Sequence, residues 1–140
     1  MQANVQWLDN VSFKATSASG HELIMDGSVE YGGQNKGARP MELILMGLGG
    51  CASFDIVTIL KKARQDVIDV RCELQAERAD TIPAVFTKIH LHFVVSGRDV
   101  KEKQVAKAIE LSADKYCSAS KMLSQGGVEI SHDFEIVQVE

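Results

Sequence analysis

The stretch Pro40-Met-Glu-Leu-Ile-Leu-Met-Gly-Leu-Gly-Gly-Cys51-Ala-Ser-Phe-Asp-Ile-Val-Thr-Ile-Leu60-Lys-Lys62 decides how this chain folds. Proline fits the first turn of a helix, where its missing N–H leaves nothing unpaired, and Glu42 suits the positive end of the helix dipole. The pattern predicts a helix from Pro40 to about Ala63, with Lys61, Lys62 and Arg64 complementing its negative end. Its apolar residues, from Leu43 to Leu60, cover every face, so the helix belongs in the middle of the structure. Gly47, Gly49 and Gly50 each cost about 1 kcal/mol relative to alanine inside a helix, which implies compensation by another backbone packed closely against this turn. The wholly apolar part between Glu42 and Asp55 is about a dozen residues, where a membrane span needs about twenty. It reads as a core helix, with no membrane partner.

On the N-terminal side, Val5-Gln-Trp-Leu and Phe13-Lys-Ala-Thr alternate with period two, and Glu22-Leu-Ile-Met25 does so more loosely. Asp9-Asn10 and Ser19-Gly20 are turn signals between them, giving a short antiparallel meander. Tyr31 to Gly37 reads as an exposed, mobile loop, since nothing apolar anchors its glycine-rich centre. On the C-terminal side, Val67–Glu77 and Phe86–Ser96 read as an antiparallel strand pair. Asp99 suits the N-cap of a second helix, which carries Val105, Ala108, Ile109 and Leu111 at helical spacing and ends near Tyr116. A shorter helical turn from Ser118 to Leu123, stopped by Gly126-Gly127, leads into a last strand, Val128 to Val139. The fold class is α+β, with helices on antiparallel sheet.

The chain has 140 residues, 45% of them hydrophobic and 24% charged. That describes a single domain over residues 1–140, able to bury roughly two-thirds of its unfolded surface. A net charge of −4, with no stripe of Lys and Arg, argues against nucleic acid as a partner. The first ten residues lack the basic, apolar, small-residue order of a signal peptide, which points to the cytoplasm. An all-round apolar helix is hard to cover within one subunit of this size, so a homodimer is expected.

Thiols keep to catalytic or buried roles in a reducing compartment. Cys51 and Cys117, both read as lying on helices, are either inert small hydrophobes or a reversible redox pair. Cys72, among alternating strand residues, reads as a half-buried strand thiol. His90 and His92 stand two apart on one strand face and could offer two metal ligands, but Lys88 shares that face and no Cys, Asp or second His pair is nearby in sequence, so no metal is expected there. Asp55 lies about one turn beyond Cys51 and would raise a thiol pKa, so it reads as a helix-surface or capping group.

Pro40-Met-Glu-Leu through Gly49-Gly-Cys51, together with Tyr116-Cys117-Ser-Ala-Ser-Lys-Met-Leu123, resembles the OsmC/Ohr family of organic hydroperoxide resistance proteins, over nearly the whole chain. The resemblance implies an OsmC-like fold, an intertwined homodimer and a thiol-dependent peroxidase that needs no cofactor and no metal. It implies Cys51 as the peroxidatic thiol, Cys117 as the resolving one, an organic hydroperoxide as substrate and an external dithiol, such as a lipoyl protein, as reductant. Met41 stands where the family has its catalytic Glu, so the acid is absent or shifted to Glu42, turned by about 100 degrees on the helix. No arginine precedes Arg39, which with Lys14, Lys121 and the positive start of the helix after Cys117 is a candidate to support the thiolate, and Ser118 replaces a common proline. Uncharacterised OsmC-like proteins share the resemblance equally. Three classes of function are open: a peroxidase using both thiols, a dimer that binds a small molecule or acyl chain in an apolar cleft, and a structural dimer without chemistry.

Overall fold

The computed structural model describes residues 1–140. The chain groups into two compact units, Met1–Ile44 and Leu45–Glu140. The first holds the meander: β1 (Ala3–Asp9), β2 (Ser12–Ser17) and β3 (Glu22–Met25), antiparallel in the order β1-β2-β3. Asn10, in the left-handed region that asparagine tolerates, makes the first turn, and the Ser12 hydroxyl donates to the Asp9 carboxylate across it at 2.7 Å. Val5, Trp7 and Leu8 of β1 are exposed.

The loop after β3 is pinned where sequence suggested mobility. Asp26, 2% exposed, accepts backbone N–H bonds from Gly27 (2.8 Å), Gln34 (2.9 Å) and Lys36 (3.1 Å). One buried carboxylate therefore replaces the missing apolar anchor. The loop is drawn so tight that a Cβ on Gly33 would collide with the Gly27 carbonyl, and one on Gly37 with the Ile24 carbonyl. It delivers the chain to α1 (Pro40–Lys62), whose start is held by Glu42: its carboxylate accepts the Arg39 backbone N–H at 2.8 Å, the reach-back half of a capping box.

In the second unit α1 buries one stripe, Leu48, Ala52, Ile56 and Leu60, at four-residue spacing. It ends in a Schellman motif with Arg64 in the left-handed region and Gln65 donating back to the Leu60 carbonyl. By length and composition α1 could also cross a membrane, but this stripe is core. A side of α1 is left uncovered by the chain, as expected of so apolar a helix, but the expectation that another backbone packs against all three glycines does not hold within the chain. A Cβ on Gly49 would lie 2.8 Å from Leu74, whereas Gly47 and Gly50 face open space, and Met46 (51%) and Phe54 (72%) are exposed.

The sheet beside α1 is β4 (Asp66–Arg78), β5 (Phe86–Arg98) and β6 (Glu129–Gln138), in the order β4-β5-β6. β4 and β5 pair antiparallel as expected, while β6 runs parallel to β5, because the intervening α2 (Glu102–Leu111) and α3 (Ser118–Gln125) form a crossover. The middle strand carries the core residues Ile89, Leu91, Phe93 and Val95. Asp99 is not the N-cap of α2. It sits at φ 49° in the preceding turn, where its carboxylate accepts from the Lys101 ammonium at 2.8 Å, and Lys101 takes the cap position without a side-chain cap bond. The α+β class and the element order are as read from the sequence.

Backbone hydrogen bonds hold the Asp26 carboxyl below the usual carboxylate range. Its folded pKa is depressed, so the stability it contributes is present above about pH 4. That contribution falls away as pH drops through the folded value. Asp26→Ala should lower the melting temperature by several degrees at neutral pH and flatten the acid limb of a thermal-melt series. An unchanged melting temperature would show that the loop needs no anchor.

Candidate functional site

Cys51 and Asp55 stand one helical turn apart on α1, and Cys117 reaches them from the segment between α2 and α3. That segment is a π-helical turn, Ser112–Tyr116, closed by the Cys117 N–H donating to the Ser112 carbonyl at 2.8 Å. Such turns concentrate at functional sites because they displace the residues after them. Ser112 is buried, and its hydroxyl donates to the Ala52 carbonyl of α1 at 3.0 Å. The turn is thereby hooked onto the residue next to Cys51. Cys117 leaves the helical region (φ −75°, ψ 103°) and becomes the N-cap of α3, its sulfur accepting the Ser120 N–H at 3.4 Å. It is thus a cap between two helical segments, not a residue within one.

The two sulfurs and an Asp55 carboxylate oxygen all lie within 4.8 Å of one another. Cys117 is 2% exposed and Cys51 is half-buried. Both are free thiols. Burial pushes the Cys117 thiol up to about 11, and the neighbouring Cys51 thiol and Asp55 charge push the same way, against the Ser120 N–H. Asp55 Oδ2 is buried without a hydrogen-bond partner. Sequence placed Asp55 on the helix surface. Four-residue spacing from Cys51 was the available signal, and only the position of Cys117 turns it into a member of the cluster. Two thiolates and a carboxylate at this spacing would also suit a tetrahedral zinc ion with one open position.

Arg39 and Glu42 belong to the other unit, where both are engaged locally. The Arg39 guanidinium donates to Asn35 Oδ1 and the Gly37 carbonyl, each at 3.1 Å, and Glu42 caps α1. Cys72, on β4, lies apart from the pair, beside Ser53. Its thiol is pushed up to about 11 by burial, which suits an inert strand thiol.

The sequence matches the OsmC-like protein family over residues 33–133. The chain belongs to the OsmC-like family. Protein YhfA of Escherichia coli K12 is 47% identical over 137 residues, 98% of each chain. A solved structure of a hypothetical protein from Aquifex aeolicus VF5 is 28% identical, with a TM-score of 0.81 over 98% of this chain and 97% of its own. The organic hydroperoxide resistance protein OsmC of Legionella pneumophila shares the fold, with a TM-score of 0.71 and 18% identity over 99% of this chain and 96% of its own. Within this OsmC-like frame the thiol pair is carried by α1 and by the cap of α3.

The parallel pairing of β6 also corrects the view of the two strand histidines. It brings Asp133 beside His92, so that the Asp133 carboxylate meets His90 Nε2 at 2.8 Å and His92 Nδ1 at 2.7 Å. An acid far off in sequence becomes a shared partner. The hydrogen bond to Asp133 raises the His92 pKa, while those from His92 and His90 lower that of Asp133. The raised His92 pKa favours the folded state below about pH 6.5, and this contribution is lost as pH rises through the folded value. NMR titration should place the His92 midpoint above that of a free imidazole, and Asp133→Asn should return it. A His92 midpoint unmoved by the substitution would remove the shared acid from the account.

Proposed function

We propose that this OsmC-like protein is a thiol-dependent peroxidase that reduces organic hydroperoxides in the cytoplasm as part of an oxidative stress response. The observation that carries the reading is the meeting of Cys51 and Cys117, supplied by two different elements and hooked together by the Ser112 bond. In the proposed cycle the half-buried Cys51 attacks the O–O bond as thiolate, the alkoxide leaves as an alcohol, and the sulfur becomes a sulfenic acid. Cys117 then condenses with it to a disulfide with loss of water, and an external dithiol such as a lipoyl group restores both thiols. Arg39 and Glu42 are proposed to support the reaction as cation and acid, roles to be read from their variants, in addition to their local bonds at the start of α1. The alkyl preference is proposed to come from the apolar side chains of α1.

Homodimerisation belongs to the same proposal. Phe54 and Met46 are exposed on α1 beside the bare backbone of Gly47 and Gly50, and Val5, Trp7 and Leu8 are exposed on β1. Apolar surface of this kind calls for a partner, and a second copy supplies a matching one.

Cumene hydroperoxide should remove two thiols per chain and yield an intramolecular Cys51–Cys117 disulfide by mass spectrometry, with Cys72 reactive only after denaturation. Cys117→Ser should stop at a trappable sulfenic acid on Cys51. Arg39→Ala should slow Cys51 oxidation at least about tenfold, equivalent to about 1.4 kcal/mol of barrier. Indifference of the parent to organic peroxides would sink the peroxidase reading and favour the small-molecule or acyl-chain binding dimer. The dimer has its own test, because a side chain at Gly50 meets nothing within the chain. Gly50→Leu should therefore keep the subunit fold while sedimentation shifts toward monomer, and an unchanged dimer would place the interface elsewhere.

A further inference from the structure

The geometry points to Asp55 as the base that receives the Cys117 proton when that thiol closes the disulfide with Cys51. This rests on reading Cys51 and Cys117 as a reacting pair, whatever oxidant starts the reaction.

Two independent observations meet here. One carboxylate oxygen of Asp55 is within 4.8 Å of both sulfurs, and Oδ2 is buried with nothing donating to it. A buried acceptor left unpaired costs folding free energy, so its persistence beside two potential donors calls for a role. Meanwhile Cys117 is built as a reluctant nucleophile. It is almost wholly buried, its sulfur accepts the Ser120 N–H at the start of α3, and Cys51 and the Asp55 carboxylate stand beside it. The thiol must shed its proton to attack, and bulk water does not reach a sulfur that is 2% exposed. The adjacent carboxylate can take that proton as the S–S bond forms.

The step balances without a further reactant. The Cys117 sulfur forms a bond to the Cys51 sulfur as the bond from Cys51 to its leaving group breaks. The proton passes from Cys117 to the Asp55 carboxylate. Where the leaving group is the hydroxide of a sulfenic acid, the protonated Asp55 returns the proton to it and water departs. Both thiol sulfurs end oxidised, and the electrons have gone to the original oxidant.

A bystander carboxylate and a base predict opposite signs for one substitution. Removing the charge with Asp55→Asn relieves the repulsion on the Cys117 anion, so a bystander's loss should speed ring closure, whereas loss of the base should slow it. The measurement uses one equivalent of 5,5′-dithiobis(2-nitrobenzoate) on reduced protein in a Cys72→Ser background. The first thionitrobenzoate release marks the mixed disulfide on the half-buried Cys51, and the second marks attack by Cys117. Asp55→Asn should leave the first release as fast or faster and slow the second at least about tenfold, and Asp55→Glu should recover part of the loss. Thermal melts of both variants establish that they are folded.

A second release in Asp55→Asn as fast as in the parent, or faster, would overturn the assignment. So would the same delay in His132→Asn with none in Asp55→Asn, since His132 borders the small cavity shared by Ala52, Ser112 and Ser120. Zinc retained by the reduced parent through dialysis and lost in Asp55→Asn would also overturn it, making the carboxylate a ligand. No peroxide enters this assay, so an inert response to cumene hydroperoxide would remove the peroxidase reading and leave the Asp55 result standing.

Discussion

The buried hydroxyl of Ser112, donating to the Ala52 carbonyl, is the contact on which the thiol site depends. It joins a helix near the middle of the chain to a π-helical turn far along the sequence, and it does so beside Cys51. The turn shifts the residues after it, so that Cys117 swings out of helical geometry to cap α3 and its sulfur comes to the α1 surface. Together with the buried Val105, Ala108 and Ile109 of α2, that hook gives two thiols on separate elements a common address.

Around this contact the second unit is a sheet with a heavily buried middle strand and helices on it. The parallel pairing of β6 with β5 results from the crossover through α2 and α3, and it places Asp133 beside two histidines that stand alone in sequence. The first unit solves a different problem. Its long loop has no apolar residue to fasten it, so a single carboxylate gathers three backbone N–H groups, and the entry to α1 is set by Glu42 capping its own helix start.

The element order and class were legible in the sequence because period-two runs, Pro40 and the paired glycines after Leu123 are local signals. Cys51 and Cys117 were legible as candidates for the same reason. What sequence could not carry was anything set by a partner distant along the chain. Asp99 has the chemistry of an N-cap yet serves a left-handed turn, since the chain must first bend from β5 toward α2. Gly47, Gly49 and Gly50 suggested a backbone packed closely on α1, but within the subunit Gly49 meets only the Leu74 side chain of β4, and Gly47 and Gly50 face outward. Asp55 was visible only as a residue four places from a cysteine, and its significance waited on the route taken by Cys117.

The span between the two cysteines has a further consequence. A bond between their sulfurs would close a loop running from residue 51 to residue 117, with β4, β5 and α2 inside it. In the chain-entropy picture a cross-link of that length removes enough freedom from the unfolded chain to add about 4 kcal/mol to stability. A chain that closed this bond would resist unfolding more in its oxidised form than in its reduced one. A reductant would have to overcome that added stability as well as the sulfur–sulfur bond itself. A dithiol, whose second sulfur displaces the first by closing a ring, is the kind of reagent suited to it.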